Sequence, residues 1–400
     1  MKIGGDMIIL FALLIVVIAV LLFEYFLHRR ALHSIKVRIH VNGTRGKSSV
    51  TRLIAAALKE HGIFTFAKTT GTLPRLILPD GTEYPVYRPS KANIIEQLRI
   101  ISLAASQGAE ALVIECMALQ PMLQSLSELK IVSATHGVIT NARADHLDVM
   151  GPNEVNVAEA LLGTTPLNAK LYTCERDYPE LFQNACDDRD TELITITVDD
   201  TLAVSDEEMS HFEYVEHKEN VALALKVTAD LGVPRETALR GMYQVKADVG
   251  ALYEYYLSYF GRSLTFINGF AANDPESTEM IWNMALKKYA HVERKVMIIN
   301  SRADRPDRSQ QLGKSIHQWS PADHYVLVGT GAYMLLRVAV DSGIPSSKMI
   351  FAERMNVSQI FEELLSITQG PTLMMGVGNI KGPGLELIQF FKNRATSQPL

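Results

Sequence analysis

Val37-Arg38-Ile39-His40-Val41-Asn42-Gly43-Thr44-Arg45-Gly46-Lys47-Ser48-Ser49-Val50-Thr51-Arg52 decides how the chain is read. Val37, Ile39 and Val41 alternate with polar residues as in a strand. A glycine-bearing turn follows, and Val50, Leu53, Ile54, Ala57 and Leu58 then keep helical spacing. Strand, glycine turn, Lys-Ser and helix in that order make a phosphate loop. Gly43 and Gly46 let backbone N–H groups turn toward an anion, and a helix starting near Ser48 adds the positive end of its dipole. Lys47 brings a full charge to the β- and γ-phosphates of ATP. Asn42, Gly43, Thr44, Arg45, Gly46, Lys47, Ser48 and Ser49 are therefore the expected nucleotide contacts, with Ser48 also a ligand for Mg²⁺. The eight-residue pattern G-x-x-x-x-G-K-[ST] would need glycine where Val41 stands, so only its shorter core is present. A chance match on a surface turn is the alternative, and the flanking strand and helix argue against it.

Upstream of this loop, Met7 to Phe23 is uncharged and almost wholly aliphatic. With Tyr25, Phe26 and Leu27 it reaches about 20 residues, roughly 30 Å as a helix, which is one transmembrane span. Arg29, Arg30, Lys36 and Arg38 flank its carboxyl side, whereas Lys2 on the other side is offset by Asp6. The positive-inside rule then puts the rest of the chain in the cytoplasm, as a single-pass protein of the cytoplasmic membrane. A cleaved signal peptide is the alternative, but no small-x-small site follows and the basic cluster lies on the wrong side.

Downstream, strand and helix patterns alternate almost to the end, which is the signature of an α/β fold. Ile63 to Ala67 reads as the next strand and delivers Lys68, Thr69 and Thr70 to its carboxyl end, where binding crevices form in parallel sheets. Lys68 and Thr69 are expected substrate contacts, and Thr70 a substrate or metal contact. Leu73 to Ala92 reads as an extended excursion whose Arg75, Arg88 and Lys91 face either an acidic substrate or solvent. A helix from about Asn93 to Ser106 leads to a strand, Ala111 to Glu115. Glu115 at its end can hold Mg²⁺ opposite the phosphate loop, or simply cap the strand. Gly137 to Asn141 is a further strand, followed by Asp145, His146 and Asp148, residues costly to bury and better explained by a site. Asn141 and Asp145 are substrate candidates, and His146 a catalytic or metal-binding one. Asp199 to Phe212 reads as a solvated acidic loop.

Lys246 to Gly250 reads as a hinge, beyond which strand candidates at Leu264, Val296, Tyr325, Met349 and Thr372 each precede a helical pattern. The expected organisation is a transmembrane anchor (1–33), a phosphate-loop central domain with a mainly parallel sheet (34–248) and a smaller Rossmann-like α/β domain (249–400). The first strand of the last domain ends in Asn268, with Asn273 close behind. The second ends in Asn300-Ser301-Arg302-Ala303-Asp304-Arg305-Pro306-Asp307-Arg308. That charged run is either a solvated turn or a ligand set for anions, with Arg302 favoured because its fork suits phosphate and carboxylate. His317, Trp319 and His324 read as ordinary helix or surface residues. A formal charge of −5 excludes a general nucleic-acid binder, and Cys116, Cys174 and Cys186 lie too far apart for a C-x-x-C metal or redox pair.

Several of these stretches carry a resemblance. Gly43-Thr44-Arg45-Gly46-Lys47-Ser48 is similar to the loop of the Mur ligase and folylpolyglutamate synthase superfamily, and Asn141 to Asp148 resembles its Asn-x-x-x-Asp-His-Leu-Asp signature. Glu219-Asn220-Val221-Ala222-Leu223 resembles a helix those enzymes carry before their last domain. Lys68 to Thr72, Glu115-Cys116-Met117, Asp145 to Pro152, Asn268 to Asp274, Ser301 to Arg305 and Gly376 to Ile380 together resemble the ligase subunits of bacterial poly-γ-glutamate synthases. The resemblance implies a Mur-ligase-like fold, ATP and Mg²⁺ as cofactors, and glutamate and growing poly-γ-glutamate as substrates. It also implies small integral-membrane subunits as partners.

By the same resemblance Glu115 is a metal ligand, and Asn268, Asn273, Arg302, Asp304 and Arg305 serve the nucleotide. Arg308 is then a substrate candidate, and Lys47, Glu115, His146 and Arg302 are the catalytic set. The expected reaction forms an amide through an acyl phosphate, releasing ADP. Two features depart from the superfamily: only about 35 residues precede the loop, too few for a UDP-sugar-binding domain, and Lys170 is a poor match for the lysine that Mur enzymes carbamylate. A membrane-anchored ATPase that drives assembly or export without covalent chemistry remains the alternative. A ligase acting on a folate-like acceptor is disfavoured by the apolar helix.

Overall fold

The computed structural model describes residues 2–71, 74–88, 92–214, 216–245, 252–259, 261–272, 274–368 and 370–395. The expected hinge at Lys246 to Gly250, Asn273 and Lys91 lie outside them. The chain forms two compact units, residues 1–211 with 217–246, and residues 212–216 with 247–400.

The first unit opens with helix α1, Lys2–Ser34. Its apolar side chains from Ile9 to Leu27 are exposed, and the stretch Ile9–Ser34 is long and apolar enough to cross a membrane. The last turns behave differently. Leu32 and the following Ile35 are buried in a core with Phe66, Ile101, Leu112 and Val132. Arg38 reaches back to donate to the carbonyls of Leu32 at 3.0 Å and Ile35 at 2.7 Å, and across to that of Ser133 at 2.9 Å. A guanidinium thus satisfies carbonyls that the helix end leaves open.

Strands β1 (Val37–Asn42), β2 (Thr65–Lys68), β3 (Arg75–Ile77), β4 (Glu83–Pro85), β5 (Ala111–Glu115), β6 (His136–Ile139), β7 (Lys170–Thr173) and β8 (Glu192–Thr195) follow. They form one sheet in the order β4-β3-β2-β5-β1-β6-β7-β8. All its pairings are parallel except β2 with β3 and β3 with β4. Helix α2 (Lys47–Glu60) covers it through Val50, Leu53, Ile54, Ala57 and Leu58, and α3 (Glu96–Ser106) through Ile100, Ile101 and Ala104. β1 lies between β5 and β6, so the chain leaves it toward opposite sides, and such switch points are where open α/β sheets bind ligands. The register pairs Val41 with Glu115 and Asn42 with Ile139, which levels the carboxyl ends of the three strands.

The second unit holds β9 (Tyr253–Tyr259), β10 (Arg262–Asn268), β11 (Arg294–Ser301), β12 (His324–Gly329), β13 (Met349–Phe351) and β14 (Thr372–Gly378). Their order is β13-β12-β11-β14-β10-β9, with one core on each face of the sheet.

Four readings of the sequence need correction. The excursion after Thr70 adds β3 and β4 to the sheet edge. The acidic stretch near Asp199 forms two short helices, Val198–Leu202 and Asp206–Ser210, each closed by a capping box. The second sheet gains an antiparallel edge, β9. Trp319 belongs to its core.

Beneath the phosphate loop, β1 carries the fully buried His40, whose Nδ1 lies 2.7 Å from Glu128. Glu128 sits in a π-helical turn, Ser127–Val132, and its other oxygen accepts the N–H of Ala134. Burial pushes the imidazole down, but the Cys116 thiol beside it and the Glu128 carboxylate bonded to Nδ1 outweigh it and hold the group up at about 9. A raised value means that His40 stabilises the fold fully below its ordinary value of 6.5 and loses that contribution as pH climbs through about 9. Chemical unfolding of the detergent-solubilised chain and its His40→Gln variant at about pH 6 and about pH 9.5 should therefore show a stability gap that narrows at the higher pH. A gap unchanged between the two would rule the ion pair out.

Candidate active site

The loop after β1 is held in shape from β6. Gly43 has φ +130°, and a Cβ there would stand 2.0 Å from the Thr140 hydroxyl. Gly46 has φ +79° and precedes α2, where a Cβ would stand 2.7 Å from the Asn220 side-chain oxygen. Both positions need glycine for backbone and for space. Asn141 accepts from the Thr44 hydroxyl at 2.7 Å and the Arg45 N–H at 3.1 Å, and donates to the Arg45 carbonyl at 3.2 Å. Thr140 donates to the same carbonyl at 2.5 Å. The Asn141 side chain, expected to meet substrate, is thus engaged in shaping the loop. Asn42 is likewise buried, donating to Gln124 at 2.7 Å and Thr164 at 3.0 Å, so its amide supports the loop from below.

Lys47 folds over the turn and donates to the carbonyls of Gly43 at 2.6 Å and Thr44 at 3.4 Å. Ser48, in the first turn of α2, donates to Glu115 at 2.8 Å, and the same carboxylate oxygen accepts the Thr70 N–H at 2.7 Å. Glu115 is 2% exposed. A buried carboxylate oxygen beside a hydroxyl is a hard oxygen set of the kind Mg²⁺ takes, so these residues fit the ion. The Thr70 hydroxyl lies 3.5 Å from the Cys116 carbonyl. Ser49 is half-buried in the first turn of α2. Among the described residues no group of three or more His, Cys, Asp or Glu side chains is placed to share an ion.

The Asp-His-Leu-Asp stretch lies against the loop through Arg45, whose guanidinium is 3.7 Å from Asp145. His146 takes φ +48° and stands at the start of a short helix, Leu147–Met150, with its ring nitrogen 4.0 Å from Asp145. Glu175 fixes this segment by accepting the Ala142 N–H at 2.8 Å. Neither Glu175 nor the approach of Asn220 to Gly46 was legible as a role in the sequence, where each is one polar residue after a strand or at a helix start.

Lys68 and Thr69 are corrected as substrate contacts. Both are fully buried; Lys68 pairs with Glu96 at 2.8 Å, and the Thr69 hydroxyl accepts the Arg75 N–H at 3.3 Å. A cavity of about 240 Å³ opens beside the loop, lined by Asn42, Gly43, Lys47, Thr70, Arg88 and Glu115 on its polar side. Met117, Ala118, Leu119 and Met150 form its apolar wall.

In the second unit Asn268 is buried at the end of β10, its side-chain oxygen 3.4 Å from the Phe270 N–H. Arg302 forks onto Asp304 at 2.9 and 2.6 Å, and the N–H of Arg305 closes the turn onto the Arg302 carbonyl. Asp304 is held below the usual carboxylate range by that pair. Because Asp304 is mostly exposed, Arg302 can exchange it for another anion at little cost. Arg308 donates to Asn379 at 3.2 Å, and Asn379 is itself tied to Asn300 through their backbones.

Comparison with known proteins agrees with this architecture. Residues 41–246 match the Mur ligase middle domain, and residues 254–394 match the poly-gamma-glutamate synthase CapB C-terminal domain. The chain is 36% identical over 364 residues to PGA synthase CapB of Bacillus subtilis (strain 168), covering 90% of this chain and 92% of that protein. Among solved structures, E. coli FolC in complex with DHPP and ADP is similar in fold, with TM-score 0.68, 15% identity and 93% of each chain covered. A bifunctional folylpolyglutamate synthase/dihydrofolate synthase with Mn, AMPPNP and L-glutamate bound is also similar, with TM-score 0.63, 14% identity, and 92% of this chain and 93% of that one covered.

Proposed function

Because the chain belongs to the CapB family of poly-γ-glutamate synthases within the Mur ligases, and so is an ATP-dependent amide ligase, we propose that it forms γ-glutamyl linkages through an acyl phosphate. The observation that carries this reading is that Gly43, Lys47, Thr70 and Glu115 line one cavity, with Ser48 and the Thr70 N–H hydrogen-bonded to the Glu115 carboxylate. The 36%-identical relative is named a PGA synthase, and L-glutamate, AMPPNP and Mn are bound in one protein of the same fold. Both support glutamate and ATP as substrates here.

A carboxylate is too poor an electrophile to condense with an amine. In the proposed reaction an oxygen of the glutamyl γ-carboxylate attacks the γ-phosphorus of ATP, the bond to the β-phosphate oxygen breaks, and ADP leaves with the electron pair. The incoming amine nitrogen then attacks the acyl carbon, inorganic phosphate leaves and the nitrogen loses its proton. The N–H groups of the Gly43–Lys47 turn and the N-terminus of α2 orient the phosphates, and Lys47 neutralises charge that builds on the transferring group. Ser48 and Glu115, with Thr70, would hold Mg²⁺, which when bound supplies Lewis-acid charge stabilisation at the phosphoryl oxygens. Asp145, held by Arg45, and His146 are proposed to orient the acyl group. Asn268, Asp304 and Arg305 are proposed to serve the nucleotide, Arg308 the substrate and Arg302 the anionic reaction centre. We further propose that α1 spans the cytoplasmic membrane, with both units in the cytoplasm, and that small membrane subunits receive the polymer.

The test is nucleotide turnover in membranes that carry the full chain together with those subunits, with and without glutamate. Glutamate-dependent ADP release with γ-linked product is expected. AMP release would mean adenylation and overturn the acyl phosphate, and ATP turnover indifferent to glutamate, without product, would favour a transport motor.

A further inference from the structure

Arg88 is the cation of the cavity that the reaction just described leaves without a task. It lies beyond β4 and is about one-fifth exposed, and its fork grips Glu96 at 2.5 and 3.0 Å. The Lys68 ammonium also meets Glu96, 2.8 Å from the Oε1 that accepts from Arg88 Nη2, and Lys68 is wholly excluded from solvent. Two cations therefore share one carboxylate, and the Glu115 charge also acts on Lys68. Lys68 is sealed in and cannot meet a ligand, whereas Arg88 lines the cavity and can. Gln97, next to Glu96, donates to the backbone carbonyl of Glu115 at 3.3 Å, so one turn of α3 holds both Arg88 and the strand end that carries Glu115.

Lys47, Thr70 and Glu115 line the cavity together with a second cation, Arg88, and with the apolar Met117, Ala118, Leu119 and Met150, which suit methylenes. At about 240 Å³ it is smaller than the roughly 300–1,000 Å³ of drug- and cofactor-sized sites, which suits a single amino-acid residue. A glutamyl residue fits this pattern, with two carboxylates separated by two methylenes.

We propose that Arg88 receives the α-carboxylate of the glutamyl residue whose γ-carboxyl is phosphorylated, with Glu96 and Lys68 as its positioning residues. The proposal rests on the γ-glutamyl ligase reading. It makes Arg88 a specificity determinant: the charged fork rewards an α-carboxylate and gives nothing to a neutral amide there. A charge-assisted hydrogen bond of this kind corresponds to roughly 10- to 150-fold in affinity.

The experiment compares ADP release by the full-chain synthase in membranes with glutamate and with its α-amide, isoglutamine, for the parent, Arg88→Gln and Arg88→Lys. The parent should prefer glutamate by kcat/KM. Arg88→Gln should raise KM for glutamate roughly 10- to 150-fold, leave KM for ATP unchanged and lose the preference over isoglutamine. Arg88→Lys, which keeps the charge without the fork, should recover part of the preference. Glu96→Gln should raise KM for glutamate less than Arg88→Gln does. An Arg88→Gln enzyme that turns over glutamate and keeps the parental preference would overturn the proposal while leaving the ligase reading intact. A parent that releases no ADP with glutamate would overturn the ligase reading itself and this proposal with it.

Discussion

Lys47→Ala will lower glutamate-dependent ADP release about a thousandfold or more while costing the fold about 1 kcal/mol at most. The two numbers separate because of where the ammonium sits. It is half-buried, and its partners in the structure are the carbonyls of Gly43 and Thr44, at 2.6 and 3.4 Å. Those carbonyls can turn to water when the side chain goes, so little stability is lost. Among the described residues Arg88 is the other cation that lines the cavity, and its fork is turned onto Glu96 rather than onto the phosphate-loop turn. The charge that builds on the phosphoryl group would therefore lose the ammonium that neutralises it from within the loop. Initial-rate ADP release by the full chain, with denaturant unfolding of the same preparation, measures both quantities. Loss of less than tenfold in rate would mean that Lys47 is not the phosphate lysine.

Gly43→Ala will abolish measurable ATP-analogue binding and destabilise the first unit by roughly 2–4 kcal/mol. The residue holds φ +130°, and the new methyl would fall 2.0 Å from the Thr140 hydroxyl and 2.9 Å from its backbone nitrogen. The hydroxyl cannot simply rotate away, since it already donates to the Arg45 carbonyl at 2.5 Å, and the nitrogen belongs to the backbone leaving β6. The turn must therefore open. Gly62→Ala is the matched control, because it also has positive φ, +87°, yet meets nothing within 4 Å. That variant should lose only about 1 kcal/mol and keep full nucleotide binding. Calorimetric titration with a non-hydrolysable ATP analogue distinguishes the pair, and equal behaviour of the two variants would refute the packing argument.

Much of the first unit could be read from sequence because its signals are local. The strand, turn and helix around Gly43 to Lys47 occupy one continuous stretch, and Glu115 and Asn141 end or follow strands whose apolar runs are plain. What each polar group does once placed was harder to read. Asn141 and Lys68 stand where a ligand contact is expected, but their partners Thr44 and Glu96 are remote in sequence, and the pairings depend on register and helix docking. The two helices in the acidic stretch did carry a local mark, Thr197 before Asp200 and Ser205 before Glu208, each a capping box. The density of negative charge concealed it. Strands β3 and β4 are three residues each, too short for an alternation to register. β9 alternates weakly because both of its faces carry tyrosine, at 253, 255, 256 and 259.

The junction between α1 and β1 has a mechanical consequence. Only Ile35 and Lys36 separate the helix from the strand, Ile35 is sealed in the core, and the Arg38 guanidinium bolts the helix end to the Ser133 carbonyl. A slack tether would let the catalytic unit tumble about its helix, whereas this joint is keyed like a shaft to its rotor. β1 spans six residues, roughly 20 Å, and ends at the phosphate loop. Any torque or tilt applied to the exposed flank of α1 is therefore delivered, with little play, to the Gly43–Lys47 turn.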